Sequence, residues 1–155
     1  MKHATLGMVL VMIVRVACAD PLSGKWALNV PRTHYGGGAE PRKQETFTCK
    51  LEKEILRCTI TSDRLDGKHI VGAFAAAYDA KPSATTGIPD VDRVSLSRID
   101  DHVADATFSY KGKPVFGYRA IKSDDGRSLT IVAVDPTART ILNSVVVYDR
   151  CDTQG

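Results

Sequence analysis

The amino-acid sequence predicts an all-β fold, an antiparallel up-and-down meander of about eight or nine strands that closes into a barrel. Three observations predict it. Short apolar or alternating segments recur along the chain, and tight-turn residues separate them. No window keeps apolar residues at the i, i+3, i+4, i+7 spacing of an amphipathic helix. Gly24-Lys25-Trp26 opens the first segment, where a buried indole would plug one end of a barrel.

Nine segments are predicted as strands, each bounded by a turn or a loop. They are residues 25–30, 46–52, 55–61, 69–78, 93–99, 103–110, 115–122, 128–134 and 140–148. Asp66-Gly67 and Asp125-Gly126 are tight-turn sequences, because glycine takes a positive φ at little cost. Two long loops interrupt the series, residues 31–44 and 80–90. A closed meander removes the exposed edges of a flat sheet, whereas a sandwich, the alternative, needs more long connections.

The N-terminus has the composition of a secretory signal. A basic start at residues 1–3 precedes an apolar run at residues 4–14, and Ala17-Cys18-Ala19 offers the small residues that signal peptidase prefers. The run is shorter than the roughly 20 apolar residues that span a bilayer, which argues against an uncleaved anchor. A lipoprotein anchored through Cys18 is a further alternative, although Arg15 stands where such signals usually carry an aliphatic residue.

We therefore expect a signal peptide at residues 1–19 and a single domain at residues 20–155, located in the periplasm or secreted. The formal net charge of the chain is +3, and Lys2 and Arg15 of the signal supply two of the positive charges. No block of lysine and arginine remains, which argues against nucleic-acid binding. No second apolar segment is long enough to span a membrane.

Three cysteines remain after the expected cleavage, an odd number for an oxidising compartment. If Leu51 pairs with Leu56 in a hairpin, Cys49 lies opposite Cys58 on the same apolar face. Such a pair can form a cross-strand disulfide, and two buried free thiols are the alternative. Cys151 would then stay single, either free or linked to a second chain.

No catalytic or metal-binding motif stands out. His34, His69 and His102 share no metal-ligand spacing, and the sequence lacks Cys-x-x-Cys. The aspartates of residues 90–101 lack the central glycine of a calcium loop and suit turns instead. There is no Gly-x-Ser-x-Gly elbow, and no helix is predicted after Gly36-Gly37-Gly38. We expect no catalytic residue, metal or cofactor.

The fourth predicted strand, residues 69–78, is rich in small residues, and this small-residue strand is compatible with a binding site or with a filled core. Gly72 and Ala76 share a face with Phe74 and Tyr78. Small inward residues in a barrel either leave room for a ligand or let opposing large side chains interdigitate. Arg98 lies in a strand, and only an inward arginine would need a carboxylate partner or an anionic ligand. The candidate ligand-binding residues are Phe74, Tyr78, Arg98, Phe108, Phe116 and Tyr118.

Four patches carry a resemblance to known proteins. They are residues 24–29, 94–100, 123–130 and 147–150. Gly24-x-Trp26 resembles the opening signature of lipocalins and the wider calycin barrels, in which an arginine near the last strand packs over the tryptophan. Arg150 stands at that place here. Together the patches resemble small exported bacterial proteins with a lipocalin-like barrel and no assigned activity.

The resemblance and the small-residue strand imply an exported, non-enzymatic protein that binds a small apolar or amphipathic molecule. A protein-interaction or inhibitor module acting on a protein partner through loops 31–44 and 80–90 is one alternative. An enzyme with a polar pocket inside the barrel is another. A cluster of titratable groups with perturbed pKa values in one cavity would favour the enzyme.

Overall fold

The computed structural model describes residues 20–36 and 39–151, and in this part of the chain ten strands form one closed antiparallel barrel. The strands are β1 Gly24–Leu28, β2 Arg42–Glu52, β3 Ile55–Arg64, β4 His69–Ala77, β5 Ser83–Thr86, β6 Arg93–Arg98, β7 Val103–Tyr110, β8 Lys113–Lys122, β9 Ser128–Val134 and β10 Ile141–Arg150. Each strand pairs with its neighbours in sequence, and β1 pairs with β10 to close the barrel. The predicted all-β meander is confirmed. The expected signal peptide at residues 1–19, with Cys18, lies outside the described residues.

The tenth strand, β5, lies inside the predicted loop 80–90. It is four residues long and pairs with β4 through Ala73 and Phe74 only. Its Ser-Ala-Thr-Thr sequence has no large apolar side chain to signal a strand, which explains why the prediction missed it. A short 3₁₀ helix, Val30–Arg32, occupies the start of the other predicted loop.

No helix in the described part of the chain is both long and apolar enough to cross a membrane.

The barrel interior is densely packed at one end. Alternate residues of each strand point inward, and the side chains of Trp26, Leu56 and Leu129 are completely buried there. Small inward residues meet large ones in this layer, since Ala76 pairs with Leu56 across β3 and β4. This is the interdigitated arrangement that small barrels use to fill their cores.

The polypeptide before β1 covers this packed end. The side chains of Asp20, Pro21 and Leu22 are buried, and the Trp26 indole N–H donates to the Leu22 carbonyl at 2.9 Å. Lys122, also buried, donates from Nζ to the Asp20 carbonyl at 2.8 Å. Burial lowers the pKa of this ammonium group, and the nearby Asp20 opposes that effect. The end is thus closed by both apolar and hydrogen-bonded contacts.

The structure places Arg150 over Trp26. These residues are cross-strand partners in β1 and β10, and the Arg150 Cζ lies 5.3 Å from the indole centroid. Gly24 makes the approach possible: its φ is +136°, and an added Cβ would lie 2.9 Å from the Arg150 Nη2. The glycine and the tryptophan of the opening motif therefore serve one packing arrangement.

The predicted disulfide is confirmed. Leu51 pairs with Leu56 and Cys49 with Cys58 in β2 and β3, and the two cysteines are bonded with a Cα–Cα distance of 4.2 Å. Both cysteines are buried inside the barrel. Cys151 is a free, exposed thiol. Disulfides persist in oxidising compartments, so this bond suggests an oxidising extracellular environment.

We expect the disulfide to contribute measurably to stability. Replacing Cys49 and Cys58 together by alanine should lower the free energy of unfolding by about 2–3 kcal/mol, because the bond closes a short loop in the unfolded chain. Urea denaturation of the purified protein measures the loss. Cys151→Ser is the control and should leave the unfolding midpoint unchanged. A double variant as stable as the parent would contradict the prediction.

Candidate functional site

A cavity of about 670 Å³ occupies the barrel beyond the packed end. This is within the range of small-molecule sites, roughly 300–1,000 Å³. The cavity reaches the surface at the end opposite Trp26, where partly exposed side chains such as Val115 and Leu142 form its mouth. Its apolar wall includes Phe47, Ile60, Leu96, Phe108, Ile131 and Val146. The barrel is thus filled at one end and hollow at the other.

Four of the six candidate ligand-binding residues line this cavity together. Phe108 is central: its ring centroid lies 4.7 Å from that of Phe116, 6.0 Å from Tyr118 and 6.2 Å from Phe74. Phe116 and Tyr118 are themselves 5.2 Å apart. These contacts make a continuous aromatic wall from β4 to β8, which suits an apolar ligand surface.

Tyr78 and Arg98, the other two candidates, lie near the packed end and do not line the cavity. Burial raises the pKa of the Tyr78 hydroxyl, and the neighbouring Asp20 adds to the effect. Arg98 donates to the Asp101 carboxylate at 2.5 Å and to the Asp100 carbonyl at 3.2 Å. These contacts satisfy Arg98 within the protein.

The cavity also holds a polar cluster that sequence analysis missed, formed by Arg42, Glu45 and Tyr148. The Tyr148 hydroxyl donates to Glu45 Oε1 at 2.5 Å, and Arg42 Nη1 donates to the Tyr148 oxygen at 3.3 Å. Arg42 Nε lies 3.1 Å from Glu45 Oε2, although its N–H is not aligned with that oxygen. This contact is an ion pair without a good hydrogen bond, and it leaves one guanidinium N–H unsatisfied.

A bulge in β2 brings the two charged residues to the same face. Positions i and i+3 of a regular strand point to opposite sides of a sheet. The pairing of β2 with β3 shifts by one residue between Arg42 and Gln44, and Arg42 therefore faces inward like Glu45. The side chains of both are almost fully buried, 14% and 10% exposed. A strand irregularity has thus placed an ion pair inside the cavity.

The surroundings of Arg42 and Tyr148 favour the protonated form of each group. Burial acts to lower the pKa of Arg42, but Tyr148 and Glu45 outweigh it and the net shift is upward. Burial and the nearby Glu45 raise the pKa of Tyr148 well above its usual range. Both groups therefore keep their protons at neutral pH and act as hydrogen-bond donors. A general acid–base catalyst would instead need a pKa near the working pH.

Two further polar groups lie beside the cluster. Ser62 lines the cavity, and its hydroxyl has no hydrogen-bond partner among the described residues. The buried Tyr35 hydroxyl likewise has no partner in that part of the chain, and its ring lies 6.0 Å from the Arg42 guanidinium carbon. Arg64 lines the same wall and is paired with Glu40 near the mouth. The polar side of the cavity therefore combines paired charges with polar groups that lack a hydrogen-bond partner in the described part of the chain: the Ser62 and Tyr35 hydroxyls and the Nε–H groups of Arg42 and Arg64.

The two long loops meet the cavity at its mouth. Gly36, Ala39 and Glu40 contribute from one loop, and Ile88 and Pro89 contribute from the other. The loops that sequence analysis offered as a protein-interaction surface therefore also border the cavity. Gly37 and Gly38 lie outside the described residues.

Ile88, one of these loop residues, reaches Gly72 in β4. An added Cβ at Gly72 would lie 2.6 Å from Ile88 Cγ1. The space that a small inward residue leaves at Gly72 is therefore occupied by a loop side chain.

In the described part of the chain, the histidines and acidic residues do not assemble into a metal site. Among residues 20–36 and 39–151, no three histidine, cysteine, aspartate or glutamate side chains lie together as metal ligands would. His69 Nδ1 lies 2.5 Å from Asp63, and His102 Nδ1 lies 3.3 Å from the Lys122 carbonyl. Neither His69 nor His102 lines the cavity.

No family model, no curated protein and no solved structure matches this chain. The ten-strand antiparallel barrel is compatible with a lipocalin-like fold on its geometry.

Proposed function

We propose that this protein binds one small amphipathic molecule inside the barrel, as an exported binding protein of lipocalin-like type. The cavity of about 670 Å³ carries the proposal, because it has an aromatic wall on one side and a polar cluster on the other. The wall would take the hydrocarbon part of a ligand, and the cluster around Tyr148 would take its polar group. Pockets of this kind, apolar with a few placed polar groups, are typical of small-molecule sites.

Two features of the chain support a location outside the cytoplasm. The disulfide between Cys49 and Cys58 suits an oxidising compartment, and the signal expected at residues 1–19 would deliver the chain there. A cross-linked wall also suits a binding protein, because a preformed cavity loses less conformational entropy when a ligand binds. We therefore propose that ligand binding takes place in the periplasm or outside the cell.

Ligand displacement from the purified protein tests the proposal. N-phenyl-1-naphthylamine, a neutral dye that fluoresces in apolar surroundings, should bind with one site per chain and be displaced by medium-chain amphiphiles. Native mass spectrometry of the same samples should show one ligand per barrel. A protein that binds neither the dye nor any amphiphile would contradict the proposed function.

A pair of matched variants shows where the dye binds. Ala106 lines the cavity, whereas Ala75 lies on the outward face of β4. Ala106→Phe should fill the cavity and weaken dye binding by about tenfold or more, because the added ring occupies ligand volume. Ala75→Phe adds the same ring outside and should leave dye binding unchanged. Equal binding by both variants would place the dye elsewhere on the protein and refute the proposed cavity site.

A further inference from the structure

We propose that the ligand head group is uncharged, a hydroxyl, ester or amide, and that Ser62 and Arg42 bind it. This inference rests on the proposed function and narrows it to one chemical class. The observations that carry it are the unpartnered Ser62 hydroxyl, the position of Glu45 beside it, and the pairing of the cationic groups around the cavity.

Ser62 marks the place of the head group. Its residue is only 2% exposed, it shares the inward face of β3 with Cys58 and Ile60, and it lines the cavity. Its Oγ has no hydrogen-bond partner among residues 20–36 and 39–151. A buried hydroxyl without a partner costs free energy, and a ligand group that bonds to it would recover that cost.

The neighbour of Ser62 excludes an anionic head. Glu45 is the residue directly opposite Ser62 in the β2–β3 pairing, so their Cβ atoms lie about 4.5–5.5 Å apart. A ligand carboxylate bonded to the Ser62 hydroxyl would therefore stand beside the Glu45 carboxylate in a largely buried site. Like charges at that distance repel each other, and partial burial weakens the solvent screening between them. A neutral head avoids the repulsion.

No cation in the described lining is free to compensate an anion. Three cationic side chains line the cavity, and each has a carboxylate partner: Arg42 with Glu45, Arg64 with Glu40, and Lys68 with Asp66. The Arg42 Nε–H, which lacks an aligned acceptor, can still donate to a neutral ligand oxygen. A cationic head is also disfavoured beside Ser62, because both oxygens of the neighbouring Glu45 are already engaged by Arg42 and Tyr148.

The test compares three ligands with the same alkyl chain and different heads. Dodecan-1-ol, dodecanoic acid and dodecylamine each displace N-phenyl-1-naphthylamine at neutral pH, where the acid is ionised and the amine is protonated. We expect the alcohol to bind at least about tenfold more tightly than either charged ligand. Binding of the acid or the amine as tight as that of the alcohol would overturn the inference and leave the proposed function standing. Failure of all three ligands and the dye would instead overturn the proposed function.

A second pair of variants assigns the head group to its site. Ser62→Ala removes the unpartnered hydroxyl, and the preference for the alcohol over the acid should fall by several-fold to about tenfold. Ser95→Ala is the control, because Ser95 lies between inward Val94 and Leu96 and points away from the cavity. The Ser95→Ala variant should prefer the alcohol over the acid as strongly as the parent protein does. A Ser62→Ala variant that folds normally and keeps the full preference would overturn the assignment.

Discussion

Replacing Trp26 by alanine should lower the free energy of unfolding by about 3–5 kcal/mol, because the variant loses a completely buried indole from the packed end. Three contacts are lost together: the hydrogen bond to the Leu22 carbonyl, the stacking on Phe47 at 6.3 Å, and the packing under Arg150. The main-chain carbonyl of Leu22 would also lose its donor, which adds to the cost.

Urea denaturation followed by far-ultraviolet circular dichroism measures this loss, since Trp26 is the only tryptophan and its fluorescence disappears in the variant. Tyr110→Ala removes an aromatic ring that is 38% exposed and should change the unfolding midpoint little. A folded Trp26→Ala variant as stable as Tyr110→Ala would show that the indole does not hold this end of the barrel together.

Features that depend on residues close in sequence could be predicted from the sequence. The disulfide is the clearest case: a hairpin turn and the apolar alternation of its strands set the register, and that register places Cys49 opposite Cys58. A shift of one residue would turn every apolar side chain of the hairpin toward solvent, so the pattern admits one pairing. The same alternation predicted that Phe74 shares one face of its strand with Gly72 and Ala76, and in β4 Gly72 and Ala76 are the buried positions on that face.

The position of a residue along the barrel axis could not be predicted in this way. Alternation shows that a side chain points inward, but the depth it reaches depends on the strand tilt and the stagger of the whole barrel. Phe74 and Tyr78 share a face of one segment, yet Phe74 lines the cavity and Tyr78 lies near the packed end. The six candidate ligand-binding residues therefore came from two different heights along the barrel axis.

The polar cluster was missed for a different reason. Arg42 and Glu45 stand three apart, and strict alternation assigns them to opposite faces of β2. Arg42 was moreover expected in loop 31–44, whose three glycines and two prolines mask the start of the strand. Only the β2–β3 pairing reveals the bulge that turns Arg42 inward. A local irregularity thus determines the chemistry of the site.

Removing one charge of the Arg42–Glu45 pair should destabilise the protein more than removing both charges. Glu45→Gln keeps an acceptor for Tyr148 but leaves the Arg42 charge unpaired in a largely buried site, and should lower the free energy of unfolding by about 3–5 kcal/mol. Arg42→Met leaves a carboxyl group that can take up a proton, whereas a guanidinium cannot release one. We therefore expect Arg42→Met to be the milder of the two single changes.

The double variant distinguishes an ion pair from two independent packing residues. Arg42→Met with Glu45→Gln removes both charges, and it should recover most of the stability that Glu45→Gln alone loses, because the desolvation of both ions is removed together. Urea denaturation of the four proteins gives the coupling directly. Glu52→Gln is the matched control: its pair with Lys50, at 2.9 Å, is exposed and should contribute nothing measurable. Additive losses from the two single variants would contradict a buried ion pair. A double variant more stable than the parent would show in addition that the two charges lower stability overall, as expected of groups retained for binding.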